Sequence, residues 1–206
     1  MHIADGVLTS PIIAASYALT AGAVYYGIKD IEDDEVPKIA LMSGTFFAIS
    51  LISFPVGPSS VHPLLVGLIG IILGRRSALA FFPALLLQAL LFKHGGLTAL
   101  GANTIMLAIP AYICNFLYRK LPVKKTLVKA SIIGGLSVFM TVAILIMILF
   151  MTNPDFAAGN FSVVRIIILS HLPIVIGEGL ITGGAVQFLE RLKPDWIASK
   201  GELEYE

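Results

Sequence analysis

Seven apolar runs follow one another along the chain, roughly at 10–28, 38–56, 61–74, 77–92, 97–118, 128–151 and 162–190. Measured against the roughly 20 residues that a helix needs to cross a bilayer, most of them are spans. Composition agrees with that reading. The chain is 57% hydrophobic and 13% charged, whereas a soluble domain carries about a quarter charged residues. The sequence therefore predicts an all-α integral membrane protein, a compact bundle of about seven transmembrane helices in the lipid bilayer. The third and fourth runs are short: about 14 residues of helix rise only about 21 Å against a hydrocarbon core of about 30 Å. Those two are expected to be tilted, thinned or partly re-entrant. With 206 residues there is room for a single transmembrane domain over 1–206 and for no second soluble one, residues 194–206 forming a short tail.

Charge placement gives the bundle a direction. If the N-terminus is outside and there are seven spans, the inner segments hold Lys29, Lys38, Arg75, Arg76, Arg119, Lys120, Lys124, Lys125, Lys129, Arg191, Lys193 and Lys200. Only Lys93 and Arg165 fall outside, which is the asymmetry that the positive-inside rule asks for. The expectation is a multi-pass protein of the cytoplasmic membrane, with the N-terminus on the extracellular or periplasmic side and the tail in the cytoplasm. A net charge of +1 argues against a nucleic-acid surface. The lone cysteine, Cys114, lies in an apolar run and reads as a small core residue, and the acidic stretch Asp30–Glu35 reads as a solvated inner turn.

On this topology the outer face collects the nitrogen donors. Met1 and His2 offer three to one ion: the α-amine of Met1, the deprotonated amide nitrogen of His2 and Nδ1 of the His2 ring. The resulting five- and six-membered chelate rings share the amide nitrogen, which forces the donors into a plane. Such a set suits Ni(II) or Cu(II), with Co(II) possible, and suits Zn(II) poorly because zinc has no electronic preference for a square. No charged leader precedes Met1 in the sequence, and Asp5-Gly6 supplies a tight turn that folds the terminus back into the outer mouth. His62, in the loop Pro58-Ser59-Ser60-Val61-His62-Pro63, is the candidate fourth donor.

Other polar residues in apolar surroundings are candidates to support those ligands or to line the ion's route. They are Ser59 and Ser60 beside His62, His94 at a helix end next to Gly95-Gly96, and Asn103. His171 and Glu178 join them, seven residues apart and on nearly one helical face. Gln88 reads as an interhelical hydrogen-bond partner. Ala14, Ala18 and Gly22 recur at four-residue spacing on the first helix, where another helix can approach closely, within this bundle or from a partner. The chain has no Walker-type phosphate loop, so it does not hydrolyse ATP by that route; energy comes from a partner or a gradient, or the protein is a passive channel.

Several segments together resemble the CbiM/NikM family, the substrate-specific membrane subunits of energy-coupling factor importers for cobalt and nickel. They are Met1-His2-Ile3-Ala4-Asp5-Gly6, Ser59-Ser60-Val61-His62, Leu85–Leu90 continuing through His94-Gly95-Gly96, Leu100-Gly101-Ala102-Asn103 and His171–Glu178. The resemblance implies a seven-helix subunit that binds Ni(II) or Co(II) as transported substrate, without an organic cofactor, through Met1, His2 and His62. It implies as partners a membrane coupling (T) subunit, a small accessory membrane subunit and a cytoplasmic ATPase pair. It also implies that the Ala14-Ala18-Gly22 face docks the coupling partner.

The expected function is ion capture for an ATP-driven importer, with no enzymatic activity in this chain. Release requires the square to break, for which partner-driven tilting that separates His62 from the N-terminus is one route. Alternatives differ in what they need. A passive divalent-metal channel would conduct without ATPases and wants weaker sites than a planar chelate. An intramembrane hydrolase built on His171 and Glu178 lacks a His-Glu-x-x-His pattern. A vitamin-binding subunit of the same importer class would tolerate loss of His2. Nickel and cobalt are not separated by these residues.

Overall fold

The computed structural model describes residues 2–56, 59–157 and 162–197, with the backbone alone for 54–56, 59–61 and 157. The described residues form seven α-helices and one two-stranded hairpin: α1 (Ser10–Ile28), α2 (Glu35–Ser50), β1 (Phe54–Val56), β2 (Ser59–Val61), α3 (Val66–Leu73), α4 (Ser77–Phe92), α5 (Leu100–Lys120), α6 (Thr126–Thr152) and α7 (Val163–Leu192). Short 3-10 turns occupy Gly74–Arg76, Pro154–Ala157 and Pro194–Trp196.

Each apolar run contains a helix, but two boundaries move. The second run stops being helical at Ser50 and the third starts only at Val66, because Pro55, Pro58 and Pro63 fall in a dozen residues and remove the amide donors that a helix needs. The chain there folds into the antiparallel hairpin instead, with Phe54 opposite Val61 and Val56 opposite Ser59. His62 lies between β2 and α3. By length and composition five stretches are able to cross a membrane: α1, Val66–Phe92, α5, α6 and α7. The 16 residues of α2 and the 8 of α3 are shorter than those.

The eight residues of α3 are all buried, as a helix apolar on every side must be. Gly67 and Gly70 make this possible. A Cβ at Gly67 would stand 2.7 Å from Cα of Gly134 in α6, and one at Gly70 would run into the backbone of Ala111 in α5. The three helices thus touch backbone to backbone, and one methyl group at either glycine costs about 1–3 kcal/mol of overpacking. Around α3 pack Phe46 and Phe81, whose rings meet edge to face at 5.1 Å, together with Leu107, Ile133 and Val138.

The bundle has two chemically different ends. At one, the turn between α3 and α4 lies against the α1–α2 connection: Arg75 Nη2 donates to the Lys29 carbonyl at 3.0 Å, Arg76 Nη2 donates to the Asp30 carbonyl at 2.7 Å, and Arg76 pairs with Glu35. The acidic stretch, expected to be a solvated turn, is in part a clamp on a buried arginine. Thr126 bonds Glu190 at 2.9 Å, and Lys38 stacks over Trp196 at 5.4 Å, which brings α2, α6 and α7 to the same end. A mixed-charge cavity of about 730 Å³ opens there, lined by Asp30, Glu35, Lys38, Arg75, Arg119 and Trp196 among others. At the other end α4 returns to bring Gly95 and Gly96 against His2 and Asp5. Of the described Lys and Arg residues, Lys93 and Arg165 stand at this histidine end and all others belong to the charged one.

Candidate functional site

The site is built from the N-terminal segment, which the fold receives in three places. Ile3 and Leu8 are buried in a small cluster with Ala102, Met106, Leu145 and Leu149 of α5 and α6. The Asn103 carboxamide grips the backbone of Ile3 at both of its polar groups: the Ile3 amide donates to Oδ1 at 2.8 Å, and Nδ2 donates to the Ile3 carbonyl at 3.0 Å. The Asp5 carboxylate accepts from the Thr98 amide at 2.8 Å, the Thr98 hydroxyl at 2.5 Å and the Leu97 amide at 3.3 Å. These are donors just ahead of α5, where a helix start leaves amides without partners and favours a negative charge. The Thr98 bonds hold the Asp5 carboxyl below its usual range.

Room for this docking comes from Gly95 and Gly96. Gly95 has φ +74°, a left-handed conformation, and a Cβ there would lie 3.1 Å from Asn103 Nδ2 and 3.3 Å from His2 Cβ. A Cβ on Gly96 would collide with the Asp5 carboxylate. The preceding helix closes on Lys93, also left-handed at φ 54°, with the His94 amide donating to the Gln88 carbonyl at 3.2 Å.

This places the His2 ring against that of His62, with ring centroids 4.9 Å apart and planes inclined by 19°. His62 is buried, and its Nδ1–H donates to the Pro63 carbonyl at 2.9 Å. That bond puts the proton on Nδ1 and leaves the lone pair on Nε2, the atom with no partner. Nε2 of His2 is buried and unpartnered as well. Burial pushes the His62 imidazole down to about 3 and the His2 imidazole well below its ordinary value. Both rings are therefore neutral near pH 7, the state in which imidazole binds metal. Among the described residues no three His, Cys, Asp or Glu side chains converge to hold an ion. The stack itself is not a chelate: a ring's lone pair lies in the ring plane, and two stacked rings keep separate planes. One ring must turn before both address one ion.

The remaining expected residues fall as follows. Met1 lies outside the described residues, as do the side chains of Ser59 and Ser60, whose backbone forms part of β2. His94 is exposed at the rim. His171 is buried, its Nδ1 bonded to the Ile167 carbonyl at 2.7 Å, and it lines a groove of about 240 Å³ between α6 and α7. Glu178, fully buried, accepts from the amides of Leu64 and Leu65, the latter at 3.0 Å, and so reaches the loop that carries His62. Gln88 Nε2 bonds Ser50 Oγ, joining α4 to α2. Ala14, Ala18 and Gly22 are exposed on the outer face of α1, and no heavy atom lies within 4 Å of a Cβ built on Gly22. The face of α1 that packs inside the bundle is a different one, through Ser16, Thr20 and Gly27. The roles of Asp5 and of the glycine pair as seats for the terminus were not read from the sequence. The adjacency of Asp5-Gly6 was the only local signal, and its partners are more than ninety residues away.

Comparison with known proteins bears on this geometry. The CbiM family model, described as a cobalt uptake substrate-specific transmembrane region, matches residues 2–196. A Haemophilus influenzae protein whose name places it in metal transport is 32% identical over 95% of this chain and 96% of its own. A fused nickel transport protein NikMN of Rhodobacter capsulatus is 29% identical over 97% of this chain, which spans 65% of that longer protein. Among solved structures, a truncated transition metal transporter superposes with a TM-score of 0.81 at 25% identity, covering 93% of this chain and 99% of the other.

Proposed function

The chain belongs to the CbiM family of cobalt-uptake substrate-specific transmembrane proteins, and from that premise we propose that it is the ion-capturing subunit of an ATP-driven importer for Ni(II) or Co(II). The ion is held in a planar nitrogen set made by the Met1 amine, the His2 amide and Nδ1, and Nε2 of His62. The observation that carries this reading is the stacked His2–His62 pair, His62 buried with its tautomer fixed by the Pro63 carbonyl, and the Nε2 of both rings buried and unpartnered.

Asn103 gives the chelate its boundary. Because its Oδ1 occupies the Ile3 amide proton, the deprotonation that binding requires falls on His2 and does not run on to the next residue. Capture turns one ring out of the stack and releases protons from the Met1 amine and the His2 amide. The uneven spread of Lys and Arg supports a histidine end outside and a charged end in the cytoplasm. On this reading the chain passes between the two faces seven times, the short α3 making its passage together with the loop ahead of it. The exposed Ala14-Ala18-Gly22 face is free for a coupling subunit, and the cytoplasmic ATPases are separate chains. The name of the fused NikMN relative supports an accessory membrane subunit as a partner.

The test is calorimetry with Ni(II) and Co(II) on the chain with a native Met1 terminus and on one with a single residue added ahead of it. Binding lost on extension, with a planar-field Ni(II) spectrum in the native form, is the expected result, and the tighter metal names the substrate. Equal binding by both forms removes the amine from the site and leaves a donor set of His62, His94 and His171 to be tested instead.

A further inference from the structure

The two halves of the ion site are hydrogen-bonded to different helices. The His2 half is fixed to the α4–α5 connection and the first turn of α5, through Asn103, Thr98, Gly95 and Gly96. Thr20 Oγ1 donates to the Gly101 carbonyl at 2.8 Å and ties α1 to the same unit. The His62 half has another support. Three residues beyond His62, Leu65 adopts φ +51°, left-handed for a residue with a branched side chain, and redirects the chain into α3; the amides of Leu64 and Leu65, on the His62 side of that turn, face one point. The Glu178 carboxylate sits at that point. Its Oε1 receives both amides and its Oε2 lies 3.1 Å from the Leu65 amide. These amides stand ahead of α3, whose first described intrahelical bond runs from Ile69 to the Leu65 carbonyl at 2.9 Å. Glu178 therefore does from α7 what a capping side chain does from within a helix.

We propose that Glu178 is the positioning residue through which α7 sets the place of His62, so that ion affinity is governed by the relation of α7 to the α4–α5 unit. This rests on the planar site described above. Glu178 touches neither the ion nor its ligands; it acts through Leu64, Leu65 and Pro63. Its own helix is closely seated on α6: a Cβ on Gly134 would stand 2.6 Å from the Glu178 carbonyl, and one on Gly179 would stand 3.0 Å from the Ser131 carbonyl. Metal–nitrogen distances tolerate only about ±0.2 Å. A displacement of α7, and of Glu178 with it, by about 1 Å against α5 is therefore enough to take His62 out of the square, with no ligand altered. A partner that moves α7 empties the site, and one that restores it reloads the site.

The experiment is a double-mutant cycle on the full chain in lipid nanodiscs, reading Ni(II) affinity by calorimetry and the ligand-field spectrum of the bound ion. Glu178→Gln keeps the size but presents an amide donor where an acceptor is needed. It should weaken binding about tenfold, as removal of an outer partner of a ligand does, and broaden the planar spectrum. In a His62→Ala background the same change should have no further effect, since no ligand remains for Glu178 to position. Asn103→Ala should still cost about tenfold in that background, because it serves the other half. If Glu178→Gln loses the same factor with and without His62, or loses nothing, the positioning role is overturned while the planar site stands. If His62→Ala alone leaves affinity unchanged, it is the planar site that fails. Should the Gln variant not fold, Glu178→Asp, which keeps the carboxylate one methylene further back, runs the same cycle with the same outcomes.

Discussion

The two ends of this bundle use their polar groups in opposite ways. At the charged end Arg75 and Arg76 donate to the Lys29 and Asp30 carbonyls and Arg76 pairs with Glu35 beside an open cavity, with Arg76 Nε left without a partner. At the histidine end the central groups are two neutral imidazoles whose Nε2 atoms have no partner, framed by backbone amides and one carboxamide. Satisfied charges fix a structure, whereas buried unpartnered nitrogen is costly until a ligand arrives. The first arrangement suits an anchor and the second a receptor, and they occupy opposite ends of the same helices.

That contrast can be broken or sharpened by substitution. His62→Ala removes a donor and should have the largest effect, a loss of Ni(II) affinity of about a hundredfold or more by calorimetry, beyond what an outer partner is worth. Gly96→Ala leaves every donor in place but drives a methyl group into the Asp5 carboxylate. The terminus should lift from its seat and affinity fall about thirtyfold, with proteolysis of the first residues as an independent readout. Asn103→Ala, which frees the backbone of Ile3, should cost about tenfold in the same titration. The smallest change in affinity belongs to Glu35→Ala at the far end, which should leave Ni(II) binding as it was. It strands the guanidinium of Arg76 and should lower the unfolding free energy by about 2 kcal/mol, seen as a lower thermal midpoint. An affinity loss in Glu35→Ala as large as that in Asn103→Ala would mean that the two ends are not independent.

The sequence made the helices readable because each requires a long apolar run, and run length survives without knowledge of partners. It misled where prolines at 55, 58 and 63 cut two runs short, a local effect that a hydrophobicity count overlooks and that the hairpin at Phe54–Val61 expresses. That His2 and His62 meet could be anticipated, because a terminal chelate would be covalent geometry in want of a fourth donor, and the structure brings their rings together. The Ala14-Ala18-Gly22 stripe was legible as a stripe, but its direction was not, since the competing inward face of α1 is defined by Gly101 of α5. Glu178 could be marked as a buried carboxylate out of place in lipid. Its partners could not, because they are main-chain amides over a hundred residues away with no side-chain signature.

The brevity of α3 has a consequence of its own. From the shared turn at Gly74–Arg76, eight residues carry α3 up about 12 Å while the 16 residues of α4 rise about 24 Å. The difference is the depth of the bowl in which the hairpin and the N-terminal segment lie. In such a design α3 is a ruler. Adding one helical turn would raise Leu64 and Leu65 by about 5.4 Å, beyond the reach of Glu178, and fill the bowl from below, although no residue named in the site had changed. Substitutions within α3 that keep its volume should be absorbed, but insertions or deletions should not. The quantity held fixed in this segment is a count of residues.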